Sequence, residues 1–332
     1  MVKTKSINIL NLCVPCYNHC KYCLLSWDGE CFGIDYKRSV KYARKFYEWL
    51  KVEHEDVDFV YYFGYSMEHP HLLEAVKFMK ETNSPGGEFL QFNGIKMRNK
   101  KELKVFLQGI KDAGIELINF TFYGTREYHD IFAGRRGDFE LMMNSLEIAQ
   151  ELGMGVEVGI PVLKDNINQL EELVCDFSEK NVSPFLFTPH SGGRGIKLLD
   201  QKITVKDYEG LSDVVKEHFN RSNNRTPIEW LQDPPLEYKN RALTLSLLPE
   251  NIDELEKQSF EQTMGDLEKL DEEYYGQVPS FQMLLKQYAD ENDSHLYSKK
   301  DLYYLYRKIY IEENKLGFQN ISDERFSGSL RY

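Results

Sequence analysis

An α/β fold, a partial (β/α)6 barrel followed by a mainly helical C-terminal extension, is what this 332-residue sequence predicts. Three observations carry that reading. Strand-like and helix-like periodicities alternate six times over the first two thirds of the chain. The clearest strands are apolar on one face and polar on the other, and the alternation stops near residue 221, where a charged, Tyr-rich tail begins.

In order, INILNLC (7–13) precedes a helix over 35–51, and VDFVYYF (57–63) precedes one over 71–82. FLQFN (89–93) leads to a helix over 100–113, and LINFTFY (117–123) to one over 139–152. VEVGIPV (156–162) leads to 168–180 and PFLFT (184–188) to 205–219. Units of this kind build parallel sheets covered by helices, with ligands bound at the C-terminal ends of the strands.

Strand parity chooses between a doubly wound sheet and a barrel. Val156, Val158, Ile160 and Val162 share one face, against Glu157, Gly159 and Pro161 on the other; Ile118, Phe120 and Phe122 likewise oppose Asn119, Thr121 and Tyr123. A doubly wound sheet is covered on both sides and reads as apolar on both. A barrel that holds a ligand can show polar side chains to its lumen. The expectation is therefore an open, TIM-like barrel with Asn11, Tyr62, Gln91, Asn93, Asn119, Thr121, Tyr123 and Glu157 facing inward. Glu157 becomes the candidate acid or base, and Tyr62 and Tyr123 candidate hydrogen-bond donors to substrate. The alternative is that such groups satisfy one another or buried water.

The core is expected to span 1–221. The remainder, 222–332, is helical, acidic and Tyr-rich, capping the barrel or forming an interface. NRSNNRTP (220–227) and DPP (233–235) break structure there. The segment 301–314 places Leu302, Leu305, Tyr306, Ile309 and Tyr310 at helical spacing, with Ser298 as N-cap.

A formal net charge of -12 opposes broad binding to phosphate backbones, so nucleic acid is not an expected partner. MVKTKSINIL lacks a signal-peptide apolar core, and no run of ~18 apolar residues marks a membrane span. A cytoplasmic location and no membrane partner are expected. Five of six cysteines lie between positions 13 and 31, with Cys175 far away. In that compartment a cysteine cluster points to metal rather than to disulfides. Structural zinc draws two close pairs separated by a longer loop. Closely spaced thiolates also hold iron-sulfur clusters.

Cys16, Cys20 and Cys23 form C-x3-C-x2-C, with Tyr22 before the last Cys, at the end of the first strand. This resembles the signature of the radical S-adenosylmethionine (SAM) superfamily. QFNG (91–94) resembles that family's strand-three TNG, FTFYGTREYHDIFAGRRGDFE (120–140) its strand-four segment, and PHSGGRG (189–195) the Gly-rich turn after strand six. The resemblance covers roughly residues 5–220.

It implies a [4Fe-4S] cluster on Cys16, Cys20 and Cys23, with S-adenosyl-L-methionine chelating the open iron. One electron then cleaves SAM to methionine and a 5'-deoxyadenosyl radical that takes a hydrogen atom from substrate. Tyr22, Asn93, Thr121 and His190 are further candidate cofactor contacts. The family's strand-two GGE turn corresponds to Gly64, Tyr65 and Ser66, with the acidic residue two positions late at Glu68. Ala133 stands where an Arg is often found, so Arg135 or Arg136 becomes the candidate cation for the SAM carboxylate.

Implied partners are a small-molecule or peptide substrate and a reductant such as flavodoxin or ferredoxin. No Cys follows position 175. An auxiliary cluster is therefore not expected, which favours redox-neutral rearrangement, epimerisation or elimination of a small or medium-sized metabolite. A peptide-modifying enzyme is the alternative, and a non-catalytic Fe-S or zinc-binding interaction module is the alternative of another class. Cys13, placed by parity with Asn11 in the lumen, and Cys31 are candidate hydrogen-atom donors rather than ligands. Cys175 is expected to pack under its helix.

Overall fold

A computed structural model describes residues 2–11, 16–24, 33–63, 67–82, 89–235, 239–317 and 328–331. Cys13, Cys31 and the turn Gly64, Tyr65 and Ser66 lie outside these described residues.

The six strand-helix units occur in the expected order. β1 (Lys3–Asn11) is followed by α1 (Tyr36–Glu53), β2 (Asp58–Phe63) by α2 (Leu72–Glu81) and β3 (Phe89–Gln91) by α3 (Lys100–Asp112). After β4 (Leu117–Thr121) come two helices, α4 (Arg126–Ala133) and α5 (Asp138–Glu151); β5 (Gly155–Pro161) leads to α6 (Leu170–Glu179), and β6 (Phe185–Phe187) follows. Asp35 caps α1 by accepting from the Arg38 N–H at 3.0 Å. Asn99 and Glu102 close a capping box on α3.

Every pairing among these six strands is parallel. Among the described residues they form two hydrogen-bonded sheets, with β1 paired to β2 and β3-β4-β5-β6 in order, rather than one continuous six-stranded sheet. Helix α2 bridges the break. Leu72 and Val76 pack into the core under β4 and β5, while Ala75, Phe78 and Met79 pack into the core under β1 and β2.

The parity expectation holds for the second sheet. Ile118, Phe120, Phe122, Val158, Ile160 and Val162 are buried in the helix-covered core. On the opposite face Glu157 is exposed and Phe185 is 45% exposed. One lumen assignment is corrected. Asn11 shares the parity of Ile7 and Ile9, which are buried against the helices, and its amide bonds both backbone groups of Ile34, at 3.2 and 3.0 Å. It anchors the approach to α1, and the inward Asn of β1 is Asn8, bonded to Leu243 O and Thr244 Oγ1 at 3.2 Å each.

The predicted helix over 205–219 is instead two short ones, α7 (Val205–Glu209) and α8 (Asp213–Lys216), parted at Gly210. Cys175 is exposed on α6 rather than packed. Beyond residue 221 lie β7 (Asn224–Arg225), α9 (Pro227–Leu231), β8 (Asn240–Ser246), α10 (Ile252–Leu255), α11 (Phe260–Gln277) and α12 (Phe281–Tyr288). β9 (Tyr297–Ser298), α13 (Lys299–Glu313) and β10 (Gly328–Arg331) complete the order. The tail is mainly helical, as expected, and Ser298 caps α13 through the Asp301 N–H at 3.2 Å. Among the described residues no helix is long and apolar enough to cross a membrane.

Strand β8 is the departure in this region. It pairs in parallel with β1 on the side away from β2, and its alternating Leu243 and Leu245, with Leu247 just beyond, enter the same core as Ile7 and Ile9. Arg241 on β8 fastens α11 over that edge. It donates to Thr4 Oγ1 at 3.0 Å, to Asp271 at 3.1 Å and to Glu272 at 2.6 Å, and pairs with Glu268 at 3.1 Å. Removing the cation would leave the buried Asp271 carboxylate without this charge partner, which costs about 3 kcal/mol or more. Arg241→Met should therefore lower the urea midpoint of unfolding well beyond the effect of a surface substitution; an unchanged midpoint would show that the hub does not stabilise the fold.

Candidate active site

The segment carrying Cys16, Cys20 and Cys23 has no helix or strand of its own, so its shape is set by what it is tied to. Tyr17 N–H donates to Gly94 O at 2.9 Å, after β3. His19 N–H donates to Ala133 O at 2.8 Å and Lys21 N–H to Phe132 O at 3.0 Å, at the end of α4. Cys23 O accepts from Arg194 N–H at 2.9 Å, after β6. Three segments that follow three different strands thus hold one loop.

Two of those contacts require glycine. At Gly94, φ is +75° and a Cβ would fall 2.2 Å from Cys16 Sγ; at Gly193, φ is +51° and a Cβ would fall 2.2 Å from Leu24 O. Both positions pair a left-handed backbone with a neighbour that occupies the side-chain volume.

None of the three cysteines is in a disulfide, and each is half-buried. Burial pushes the Cys16 thiol up to about 11 and the Cys20 thiol up to about 12, and each also feels the charge of neighbouring cysteines. Cys20 Sγ lies 3.1 Å from Tyr123 Oη. Among the described residues no group of three or more His, Cys, Asp and Glu is placed to hold a single metal ion. The donor set, with the space that Gly94 leaves for Cys16 Sγ, fits a larger thiolate-bound group.

Tyr22 and Tyr123 form the wall beside the thiols. Their rings meet edge to face at 5.6 Å, and Tyr22 contacts Phe132 at 5.8 Å and His190 at 5.1 Å. Burial raises the pKa of both tyrosines, so both stay protonated donors at neutral pH. Burial lowers that of His190 and favours its neutral ring.

Behind the loop, Asp138 is a buried hub. Its carboxylate accepts from Asn18 Nδ2 at 2.8 Å and His129 Nε2 at 3.1 Å, and pairs with Arg135. Tyr123 N–H donates to His129 Nδ1 at 3.2 Å, which leaves the ring proton on Nε2 for Asp138. Burial alone would raise the Asp138 pKa, but His129 and Arg135 hold its carboxyl below the usual range. Asp138, His129 and Asn18 were not singled out from sequence. His129 sits within the motif that carries the resemblance, whereas nothing local marks Asn18.

Arg135 is spent inside this hub and on Ile95 O, so it is not a free cation for a ligand carboxylate; Arg136 is exposed. Glu68 grips Arg98, at 2.7 Å through Oε2, and accepts from Lys96 N–H at 2.9 Å. It braces the segment after β3. Asn93 latches β3 to β4: its Oδ1 accepts from Thr121 N–H and Gln91 Nε2 and its Nδ2 donates to Thr121 O, each at 3.0 Å. Gln91 Nε2 also donates to Thr121 Oγ1 at 3.0 Å. Glu157 accepts from Asn119 Nδ2 at 3.3 Å, two residues along the strands from Thr121 on the side away from the cysteines.

Residues 10–176 match the family model described as the Radical SAM superfamily. An Fe-coproporphyrin III synthase of Methanosarcina barkeri is 23% identical over 118 residues, 35% of this chain and 29% of that protein. An AdoMet-dependent heme synthase of Oleidesulfovibrio alaskensis is 29% identical over 104 residues, 30% of this chain and 26% of that protein. The chain thus spans less than a third of the length of these curated relatives. Among solved structures, native anSMEcpe with bound AdoMet aligns with 17% identity and a TM-score of 0.41, covering 61% of this chain and 57% of that one. Coproporphyrinogen III oxidase (HemN) from Escherichia coli aligns with 13% identity and a TM-score of 0.42, covering 65% and 51%.

A methyl group at position 94 would have to displace Cys16 Sγ while sitting on a left-handed backbone that costs a non-glycine residue about 1–3 kcal/mol. Gly94→Ala should leave a folded chain that takes up far less iron and sulfide on anaerobic reconstitution. Wild-type iron content in that variant would show that Gly94 does not set the Cys16 thiol.

Proposed function

This chain belongs to the radical SAM superfamily, and from that premise we propose that it is an AdoMet-cleaving enzyme in which Cys16, Cys20 and Cys23 hold a [4Fe-4S] cluster. The observation that carries the reading is the set of three half-buried thiols on one loop tied to the segments after β3, β4 and β6, with Gly94 leaving room for one of them. When bound, the cluster and AdoMet supply one-electron cleavage to methionine and a 5'-deoxyadenosyl radical, chemistry that belongs to the cofactors rather than the protein.

The chain's own part is to hold, orient and exclude. Raised thiol pKa values mean that Cys16 and Cys20 give up protons on loading, so cluster assembly releases acid. The protonated Tyr123 hydroxyl is placed to donate to Cys20 Sγ and fixes that sulfur's orientation. Tyr22, Tyr123, Phe132 and Leu163 form an apolar wall that keeps water from the thiols. Gly94, Ala133, Phe132 and Arg194 hold the loop, and the Asp138 hub keeps Asn18 and Arg135 in place behind it.

Substrate would lie along the inner face that carries Gln91, Asn119 and Thr121, with Glu157 as its acid or base. Exposure of Glu157 supports that role, because a reacting group must be reachable. The reading favours a small or medium-sized metabolite and a redox-neutral reaction, since no Cys follows position 175 in this sequence to hold a second cluster. It also carries a cytoplasmic location and a flavodoxin- or ferredoxin-type reductant.

Anaerobic reconstitution with iron, sulfide and reductant tests the reading. The wild-type chain should gain visible iron-sulfur absorbance and release 5'-deoxyadenosine from AdoMet. The Cys16→Ala, Cys20→Ala, Cys23→Ala triple variant should do neither. A chain that binds zinc, forms no cluster and leaves AdoMet intact would instead be an interaction module.

Tyr123→Phe keeps the ring and removes the donor to Cys20 Sγ. Hydrogen bonds to cluster sulfurs help set the reduction potential by stabilising the more negative, reduced state. The variant should bind a full cluster whose midpoint, read by electron paramagnetic resonance in a redox titration, is more negative than wild type. An unchanged midpoint would mean that this hydroxyl does not act on the cluster.

A further inference from the structure

The turn after β6 is held from behind by a group outside the residues that match the family. Asp301, in the first turn of α13, accepts from the backbone N–H of Ser191 and from Ser191 Oγ at 3.1 Å. Its carboxylate also pairs with Lys202 Nζ at 2.9 Å, and that ammonium donates to Pro189 O. Lys202 is 1% exposed and Asp301 5%. One buried ion pair thereby satisfies three polar groups of the turn.

The same turn reaches the cysteine loop on its other side. Arg194 N–H bonds Cys23 O, the Arg194 guanidinium reaches Cys20 O at 3.5 Å, and Gly193 lies against the Cys23 and Leu24 carbonyls. Between these two attachments, the His190 ring lies against Tyr22. A chain of direct contacts thus runs from α13 through the turn to the wall beside Cys20.

A buried ion pair is weak evidence of stabilisation, because the desolvation of two charges offsets their attraction and an apolar pair often does as well. What an apolar pair cannot do is bind a backbone N–H, a hydroxyl and a carbonyl in one fixed arrangement. Accordingly we propose that Asp301 is a positioning residue: through Ser191 and Lys202 it holds the 189–194 turn and the His190 ring in the orientation that receives AdoMet. The C-terminal helical part is then a component of the cofactor site. This rests on the AdoMet-binding reading above.

The test uses the full chain, with and without its cluster. In the metal-free protein, Asp301→Asn should speed hydrogen exchange at the backbone amides of Ser191 and Arg194 while the α3 and α5 amides stay as in wild type. After reconstitution, the variant should carry wild-type iron, bind AdoMet about tenfold more weakly, and show a smaller change in the reduced-cluster resonance spectrum on AdoMet addition. Wild-type AdoMet affinity at full iron content would overturn the proposal.

Should Asp301→Asn fail to fold, the Lys202→Met, Asp301→Leu pair restores an apolar contact without the polar grip. Weak AdoMet binding in that stable double variant supports the positioning role, and wild-type binding overturns it. If the wild-type chain itself loads a cluster but binds no AdoMet, the underlying function is wrong rather than the role of Asp301.

Discussion

The cysteine loop has no secondary structure to hold it, and everything at the mouth follows from that constraint. A helix or strand would fix the spacing of three thiols by its own hydrogen bonds; residues 16–24 have one such bond, Cys23 N–H to Cys20 O at 3.2 Å, and take the rest from Gly94, Phe132, Ala133 and Arg194. These anchors lie on three segments that follow three different strands, β3, β4 and β6. The loop is therefore placed correctly only when β3, β4 and β6 are in register, so the site forms as a consequence of the fold rather than beside it. The glycines belong to the same constraint. At Gly94 and Gly193 the loop comes closer than any side chain would allow.

The second requirement is to bury charge near thiols without stranding it. Asp138 is fully buried and would be costly alone. Asn18, His129 and Arg135 surround it, and the His129 tautomer is set by the Tyr123 N–H on the opposite ring nitrogen. Tyr123 therefore meets the site twice, with its backbone turned to the hub and its hydroxyl to Cys20. The same hub explains why Arg135, offered by the sequence together with Arg136 as a candidate cation, has a partner already. An Arg in a turn reads as an available cation, and only the three-dimensional arrangement shows a buried carboxylate three residues away that has already claimed it.

What was legible in the sequence was the periodic part. The order of the six units and the two-faced character of β4 and β5 follow from alternation alone, since Ile118, Phe120 and Phe122 bury as their spacing requires. Asn11 was misread because a polar residue at a strand end need not face a lumen. Its amide serves the backbone at Ile34, a partner 23 residues away that no local pattern reveals. Helix α4 was hidden inside a stretch read as motif. Strand β8 was hidden for the opposite reason: a seven-residue strand with two alternating leucines sits among helices, beyond the point where the regular alternation stops. Its partner β1 lies more than two hundred residues earlier in the chain, and such pairing carries no local signal.

The composition of the tail now has a physical explanation. Three of its tyrosines gather round a buried charge. Arg307 of α13 is 1% exposed, with the Tyr274, Tyr303 and Tyr275 rings 4.4, 4.5 and 5.2 Å from its guanidinium. Ring faces can compensate a desolvated cation by about 2 kcal/mol or more, which makes tyrosine the suitable neighbour. That cage packs α13 against α11, and the tail is fastened to the barrel at two places. Arg241 ties it to Thr4 at the start of β1, and Asp301 ties it to the turn after β6. Composition changes near residue 221, but hydrogen bonding does not stop there. The segment holds the first strand of the barrel through the β1–β8 ladder and the Arg241–Thr4 hydrogen bond, and the turn after the last through Asp301 and Lys202, so β1 and β6 share one support that lies far from both in the sequence.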